Sequence, residues 1–129
     1  MAPAVEAEFT FRFGEDILPK KTEFTKDFVK KTVDVVIPSI ELVDTVYANK
    51  ESVSLFSIVA DNSSNSGLFL SSKEFPLNEK VDLLTTQVTL SIDGEVKGSG
   101  TGKDVLGDPL NSLTWLVNSL SARNIPIKR

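Results

Sequence analysis

From Val5 to Phe13 the chain alternates apolar and polar side chains without a break: Val5-Glu6-Ala7-Glu8-Phe9-Thr10-Phe11-Arg12-Phe13. A period of two is strand periodicity. It commits the start of the chain to a sheet that buries Val5, Ala7, Phe9, Phe11 and Phe13 on one face. Glu6, Glu8, Thr10 and Arg12 then share the other. Carboxylates at i and i+2 stand roughly 6–7 Å apart along the strand rise. Like charges at that spacing repel unless water screens them or a cation sits between them. A charged face of this kind is ordinary on a half-solvated strand. It becomes a site for a hard divalent ion when a third carboxylate arrives from another strand. Glu41, 33 residues after Glu8 (41 − 8), is the candidate. It interrupts Ile37 to Asp44, a β-branched stretch that reads as a buried strand. A carboxylate buried there needs a cation or several donors.

The remaining segments read as strands around a few helices. Gly14-Glu15-Asp16 signals a turn. Thr25 suits an N-cap, and Phe28, Val29, Val33 and Val36 suit a short helix from Lys26 to Val36. Ser52 to Ala60 reads as a second helix with Val53, Phe56 and Val59 inward. The polar run Asp61-Asn62-Ser63-Ser64-Asn65-Ser66-Gly67 is a connection or a site wall, and Gly67 to Leu70 a short strand. Gln87 to Ile92 alternates, Asp93-Gly94 is a favoured two-residue hairpin turn, and the return strand runs from Glu95 to about Gly98. Gly98-Ser99-Gly100-Thr101-Gly102-Lys103 fits neither phosphate-loop spacing, so its glycines serve φ > 0 or close backbone approach. Asp108-Pro109 opens the best helix, with Leu110, Leu113, Leu116, Val117 and Leu120 on one face and Asn124 as the stop.

The 129 residues suit one domain, 1–129. With no cysteine and no histidine, disulfides, the usual zinc sites and His-dependent triads are excluded. No basic stripe with interleaved aromatics points to nucleic acid. No stretch reaches transmembrane length, and the first residues lack a signal-peptide pattern, so a cytoplasmic protein without a membrane partner is expected.

Four blocks, in order, carry a resemblance. They are Val5-Glu6-Ala7-Glu8-Phe9; Ile40-Glu41-Leu42-Val43-Asp44; Val59-Ala60-Asp61-Asn62 running to Ser66-Gly67-Leu68; and Gly98-Ser99-Gly100 through Val105-Leu106-Gly107-Asp108-Pro109-Leu110-Asn111. The last continues through Trp115-Leu116-Val117-Asn118 to Ile125-Pro126-Ile127-Lys128. The chain resembles the 2-keto-4-pentenoate hydratases and 4-oxalocrotonate decarboxylases of the fumarylacetoacetate hydrolase superfamily. The resemblance implies an α+β fold: mixed, mainly antiparallel sheets forming a partial roll or barrel with a few flanking helices. It implies Glu6, Glu8 and Glu41 as ligands of Mg2+ or Mn2+, which in such enzymes serves as a Lewis acid on a short 2-oxo acid. It places Asp61 as a catalytic or orienting group and Asn62 and Ser66 as substrate-binding residues. Hydration and decarboxylation both remain open.

Members of that family are about twice as long. Their acid/base lysine precedes the paired glutamates, and a Thr-Gly motif follows the Ile-Pro-Ile-Lys region. The resemblance therefore covers a central portion, and little turnover by this chain alone is expected. Unpaired strand edges predict a homo-oligomer or a partner chain. A lyase, a metal- or 2-oxo-acid-binding remnant and an interaction protein are the three functional classes this leaves.

Overall fold

The alternating stretch is strand β1 (Ala4–Phe13) of a computed structural model that describes residues 3–48, 53–78 and 80–129. β1 pairs antiparallel with β2 (Val33–Val43), with Glu6 opposite Glu41, Glu8 opposite Ser39 and Thr10 opposite Ile37. The other edge of β2 is shared. β3 (Asn65–Leu70) covers Ser39 to Val43, and the two-residue β4 (Phe75–Pro76) covers Val35 and Val36. β5 (Gln87–Ile92) and β6 (Glu95–Thr101) form a separate two-stranded hairpin. Its turn places Asp93 at φ 52° and Gly94 at φ 80°, as the Asp-Gly pair predicts.

Among the described residues three α-helices flank the sheets: α1 (Lys26–Thr32), α2 (Leu55–Ala60) and α3 (Pro109–Ala122). Thr25 caps α1 by accepting from the Phe28 N–H. The helix ends at Thr32, not at Val36. Val33 is already extended, and Val33, Val35, Val36 and Ile37 are buried in β2. A β-branched run is better accommodated on a pleated sheet than on a helix, and its apolar spacing fits both periods.

The core lies between the β1–β2 end of the sheet and helices α1 and α3. Ile17, Phe24, Val29, Val33, Val36, Leu83, Leu110, Leu113 and Val117 form it, with Phe9, Phe11 and Phe13 packed against it. Each fully buried valine of this kind contributes about 1.5–3 kcal/mol. α3 faces it with Leu110, Leu113 and Val117, but Leu116, expected on that face, is 42% exposed. α3 also fastens the segment before α1. The Asn118 side chain accepts from the Phe24 N–H at 2.7 Å and donates to the Phe24 carbonyl at 3.0 Å. The helix stops as the sequence indicates: Asn124 takes φ 57°, and the N–H groups of Asn124 and Ile125 donate to the Ser121 and Leu120 carbonyls.

α2 departs from expectation. Ser54 caps it, and Ser52, the expected start, lies outside the described residues. No residue of α2 is buried, and Phe56 and Val59, expected inward, are 86% and 69% exposed. No helix among the described residues is long and apolar enough to cross a membrane.

Candidate metal centre

Strand register brings the three glutamates together. Directly opposed residues on paired strands share a face, with Cβ atoms about 4.5–5.5 Å apart. Glu6 and Glu41 are such a pair, and Glu8 follows Glu6 on the same face. One carboxylate oxygen from each of Glu6, Glu8 and Glu41 lies within 4.8 Å of the other two. A hard cation held at roughly 2.0–2.6 Å by each ligand fits between oxygens so spaced.

Glu6 and Glu8 are exposed and Glu41 is half-buried, less enclosed than its apolar sequence neighbours suggest. The Asn65 side-chain amide donates to Glu41 at 2.8 Å. Partial burial, and then the charges of Glu41 and Glu6, hold the Glu8 carboxyl above the usual carboxylate range. No ion pair among the described residues reaches the three carboxylates. Arg12, on the same face of β1, is engaged with Glu74 at 2.6 Å and Asp34 at 3.2 Å. The cluster thus concentrates negative charge that no side-chain cation among the described residues offsets, and a divalent ion would relieve that repulsion.

The polar loop contributes differently from what its sequence suggests. Asp61 ends α2, its N–H donating to the Ser57 carbonyl at 2.9 Å, and it is not a member of the carboxylate group. One of its carboxylate oxygens is nevertheless buried without a hydrogen-bond partner. Asn62 opens a short 3-10 turn, Asn62–Ser64, at φ 50°. Ser66 lies on β3 at the register shift that separates Gly67 opposite Leu42 from Asn65 opposite Val43. Both side chains are exposed. The loop residue that touches the cluster is Asn65. The sequence places it in a polar run, but only strand register decides which amide of that run faces Glu41.

A cavity of about 270 Å³ adjoins the cluster, between β1, the β5–β6 hairpin and the start of α3. Glu8 belongs to its wall, whereas Asp61, Asn62 and Ser66 do not.

An α+β protein whose paired antiparallel strands gather three carboxylates presents the all-oxygen donor set of a hard-cation centre. Comparisons with known proteins narrow the class. No family model matches the chain. It is 32% identical over 126 residues to a 2-keto-4-pentenoate hydratase of Burkholderia vietnamiensis, covering 98% of this chain and 47% of that one. It is 42% identical over 91 residues to a 4-oxalocrotonate decarboxylase of Pseudomonas putida, covering 70% and 34%. The solved 4-oxalocrotonate decarboxylase of Pseudomonas putida G7, complexed with magnesium and adipate, superposes with a TM-score of 0.84 at 33% identity, over 98% of this chain and 46% of that one. The chain belongs to the 2-keto-4-pentenoate hydratase and 4-oxalocrotonate decarboxylase family, and it spans about half the length of the relatives it matches.

Proposed function

We propose that Glu6, Glu8 and Glu41 hold a divalent cation, Mg2+ or Mn2+, in a hydratase-like lyase site for short 2-oxo or 2-hydroxydienoic acids. The observation that carries this reading is the approach of the three carboxylate oxygens to within 4.8 Å, with no compensating side-chain cation among the described residues. When bound, the ion supplies Lewis acidity to the carboxylate and 2-oxo end of the substrate. The chain's own residues do the rest. Asn65 fixes the rotamer of Glu41 through its 2.8 Å bond. The hydroxyls of Thr10 and Ser39, 2.7 Å apart, anchor the strand pair beneath Glu8. Asp61, with its unpaired buried oxygen, is the candidate catalytic carboxylate, and Asn62 and Ser66 are candidate substrate hydrogen-bonding groups. A related decarboxylation is the second reading, favoured by the similarity to the solved decarboxylase.

The same reading extends the sheets to a fumarylacetoacetate hydrolase-like roll, in one domain of a cytoplasmic protein. It also has the chain associating, with itself or with a partner chain, through the apolar residues exposed on α2 and β3. The test is metal titration followed by thermal unfolding and an ultraviolet assay. Mn2+ or Mg2+ should raise the melting temperature of the parent chain and not that of Glu8→Gln. Metal-dependent loss of 2-hydroxydienoate absorbance, abolished in Glu8→Gln, would establish turnover by this chain. A chain indifferent to both ions would sink the reading at its base.

A further inference from the structure

β3 is the least guarded strand of its sheet. It pairs with β2 along one edge, and no strand among the described residues pairs with the other. Its sequence, Asn65-Ser66-Gly67-Leu68-Phe69-Leu70, holds no charged residue and no proline. Those are the usual devices that keep an open edge from pairing with another chain. β1, at the opposite edge of the sheet, carries Glu6, Glu8 and Arg12 instead. Both faces of β3 are also uncovered. Leu68 lies opposite Glu41 and Phe69 opposite Ile40, so their side chains point to opposite faces of the sheet. Leu68, Phe69 and Leu70 are nevertheless all exposed.

Backbone geometry fixes which groups the open edge offers. The Ser71 N–H donates to the Pro38 carbonyl at 2.9 Å. Hydrogen-bonded and non-hydrogen-bonded pairs alternate along an antiparallel ladder. Phe69, opposite Ile40, and Gly67, opposite Leu42, therefore turn their N–H and C=O groups toward β2. Leu68 and Leu70 turn theirs outward. An antiparallel strand added here must meet those groups with outward groups of its own, and a second β3 has them. Setting Leu68 against Leu68 puts Phe69 opposite Gly67 and Leu70 opposite Ser66. Setting Leu70 against Leu70 puts Phe69 opposite Ser71 and Leu68 opposite Ser72. Only Leu68 against Leu70, with Phe69 meeting Phe69, places every large apolar residue of the strand opposite another. Lys73 then falls opposite Asn65, so no like charges meet.

Resting on the reading that the chain associates through its exposed apolar residues, we infer that the partner is a second copy of this chain, added edge to edge at β3 about a two-fold axis at Phe69. Leu68 of each copy exchanges N–H···O=C bonds with Leu70 of the other. The contact is self-complementary and closes at a dimer. The sheet runs on from copy to copy in the order β1-β2-β3-β3-β2-β1. The axis is perpendicular to the sheet, so both apolar faces lie on one side and both carboxylate clusters on the other. The two Phe69 rings cover one another on the face that carries Ile40.

The experiment follows the whole chain by sedimentation equilibrium over a concentration series, with Phe69→Lys and Phe69→Glu beside the parent. Phe69 is 64% exposed, so both variants should melt at the parent's temperature. The parent should pass from monomer to dimer as concentration rises. Each variant alone sets like charges face to face at the axis and should lose the dimer. An equal mixture of the two sets opposite charges face to face and should recover a one-to-one dimer. The chain has no cysteine, which gives a second readout. Phe69→Cys should form a disulfide-linked dimer on mild oxidation, because a facing non-hydrogen-bonded pair brings its Cβ atoms to about 4.5–5.5 Å. Leu68→Cys, offset from its own copy along the ladder, should cross-link far less. A parent dimer that survives the charged variants, or that their mixture fails to recover, overturns the β3 pairing and leaves self-association through another surface standing. Faster cross-linking of Leu68→Cys than of Phe69→Cys overturns the register. A parent chain that stays monomeric overturns self-association and the pairing with it.

Discussion

Helices α3 and α2 begin alike and pack differently. Each starts at a side-chain cap, Asp108 accepting from the Leu110 N–H and Ser54 from the Ser57 N–H. α3 buries Pro109, Leu110, Leu113 and Val117, whereas α2 buries none of its residues. Capping and apolar spacing decide whether a helix forms; burial depends on whether a second layer stands where its apolar face points. The half of the molecule around α1 and α3 has that layer. The half around α2 and β3 exposes Phe56, Leu68, Phe69 and Leu70. The three glutamates lie where the sheet passes from one half to the other. β2 runs from buried Val33 through buried Ile37 and Ser39 to half-buried Glu41.

The largest expected effect tests the packed half against itself. Leu113→Ala removes a buried side chain of α3 and should cost about 2–5 kcal/mol. Leu116→Ala, on the exposed flank of the same helix, should stay within about 1 kcal/mol. Urea denaturation of both variants measures the difference, and equal losses would show that α3 packs through another face.

Next in size is a contrast between two glycines. A Cβ at Gly102 would lie 1.8 Å from the Leu83 carbonyl oxygen, so Gly102→Ala should cost about 1–3 kcal/mol or more through forced displacement. Gly98→Ala, where a Cβ meets open space, should be close to neutral. Thermal unfolding that ranks the two in the opposite order would break the assignment of Gly102 to a close backbone approach.

How much of the molecule is legible in its sequence follows from the same physics. The alternation of Val5 to Phe13, the Asp93-Gly94 turn and the Asp108 cap are local features, and the structure carries each of them. The proximity of Glu6 and Glu8 follows from strand period alone. Glu41 joins them only through a register set by pairing across β1 and β2; its place in an apolar strand marks it as a candidate, and the resemblance implies its role as a ligand. The end of α1 is ambiguous in sequence because Val33 and Val36 satisfy helical spacing and β-propensity together. An inward face for α2 fails because periodicity cannot reveal whether anything covers it. The role of Asn65 is hidden because its contact with Glu41 depends on the pairing of β3 with β2.

A smaller effect probes the cluster through pH. The folded chain keeps the Glu8 carboxyl protonated at pH values where the unfolded chain has released it, because burial, Glu41 and Glu6 raise its pKa above 4.5. The folded state then binds more protons, so metal-free stability should fall as pH rises from about 4.5 through the raised value. Glu8→Gln should flatten that decline and leave the metal-free chain at least as stable as the parent at neutral pH. Unfolding curves across this window check the sign, and a steeper decline in the variant would contradict it.

The smallest effect on stability belongs to α2. Phe56 is 86% exposed, so Phe56→Ser should change the unfolding free energy by no more than about 0.5 kcal/mol. Its effect should appear instead in association. An exposed phenyl group beside Leu55 and Val59 offers apolar area that water solvates poorly, and a second surface would cover it at a gain. Light scattering over a concentration series should show weaker association for Phe56→Ser than for the parent chain, at equal unfolding free energy. If Phe56→Ser costs as much stability as Leu113→Ala, α2 is packed within the monomer, and the contrast between the two helices is lost.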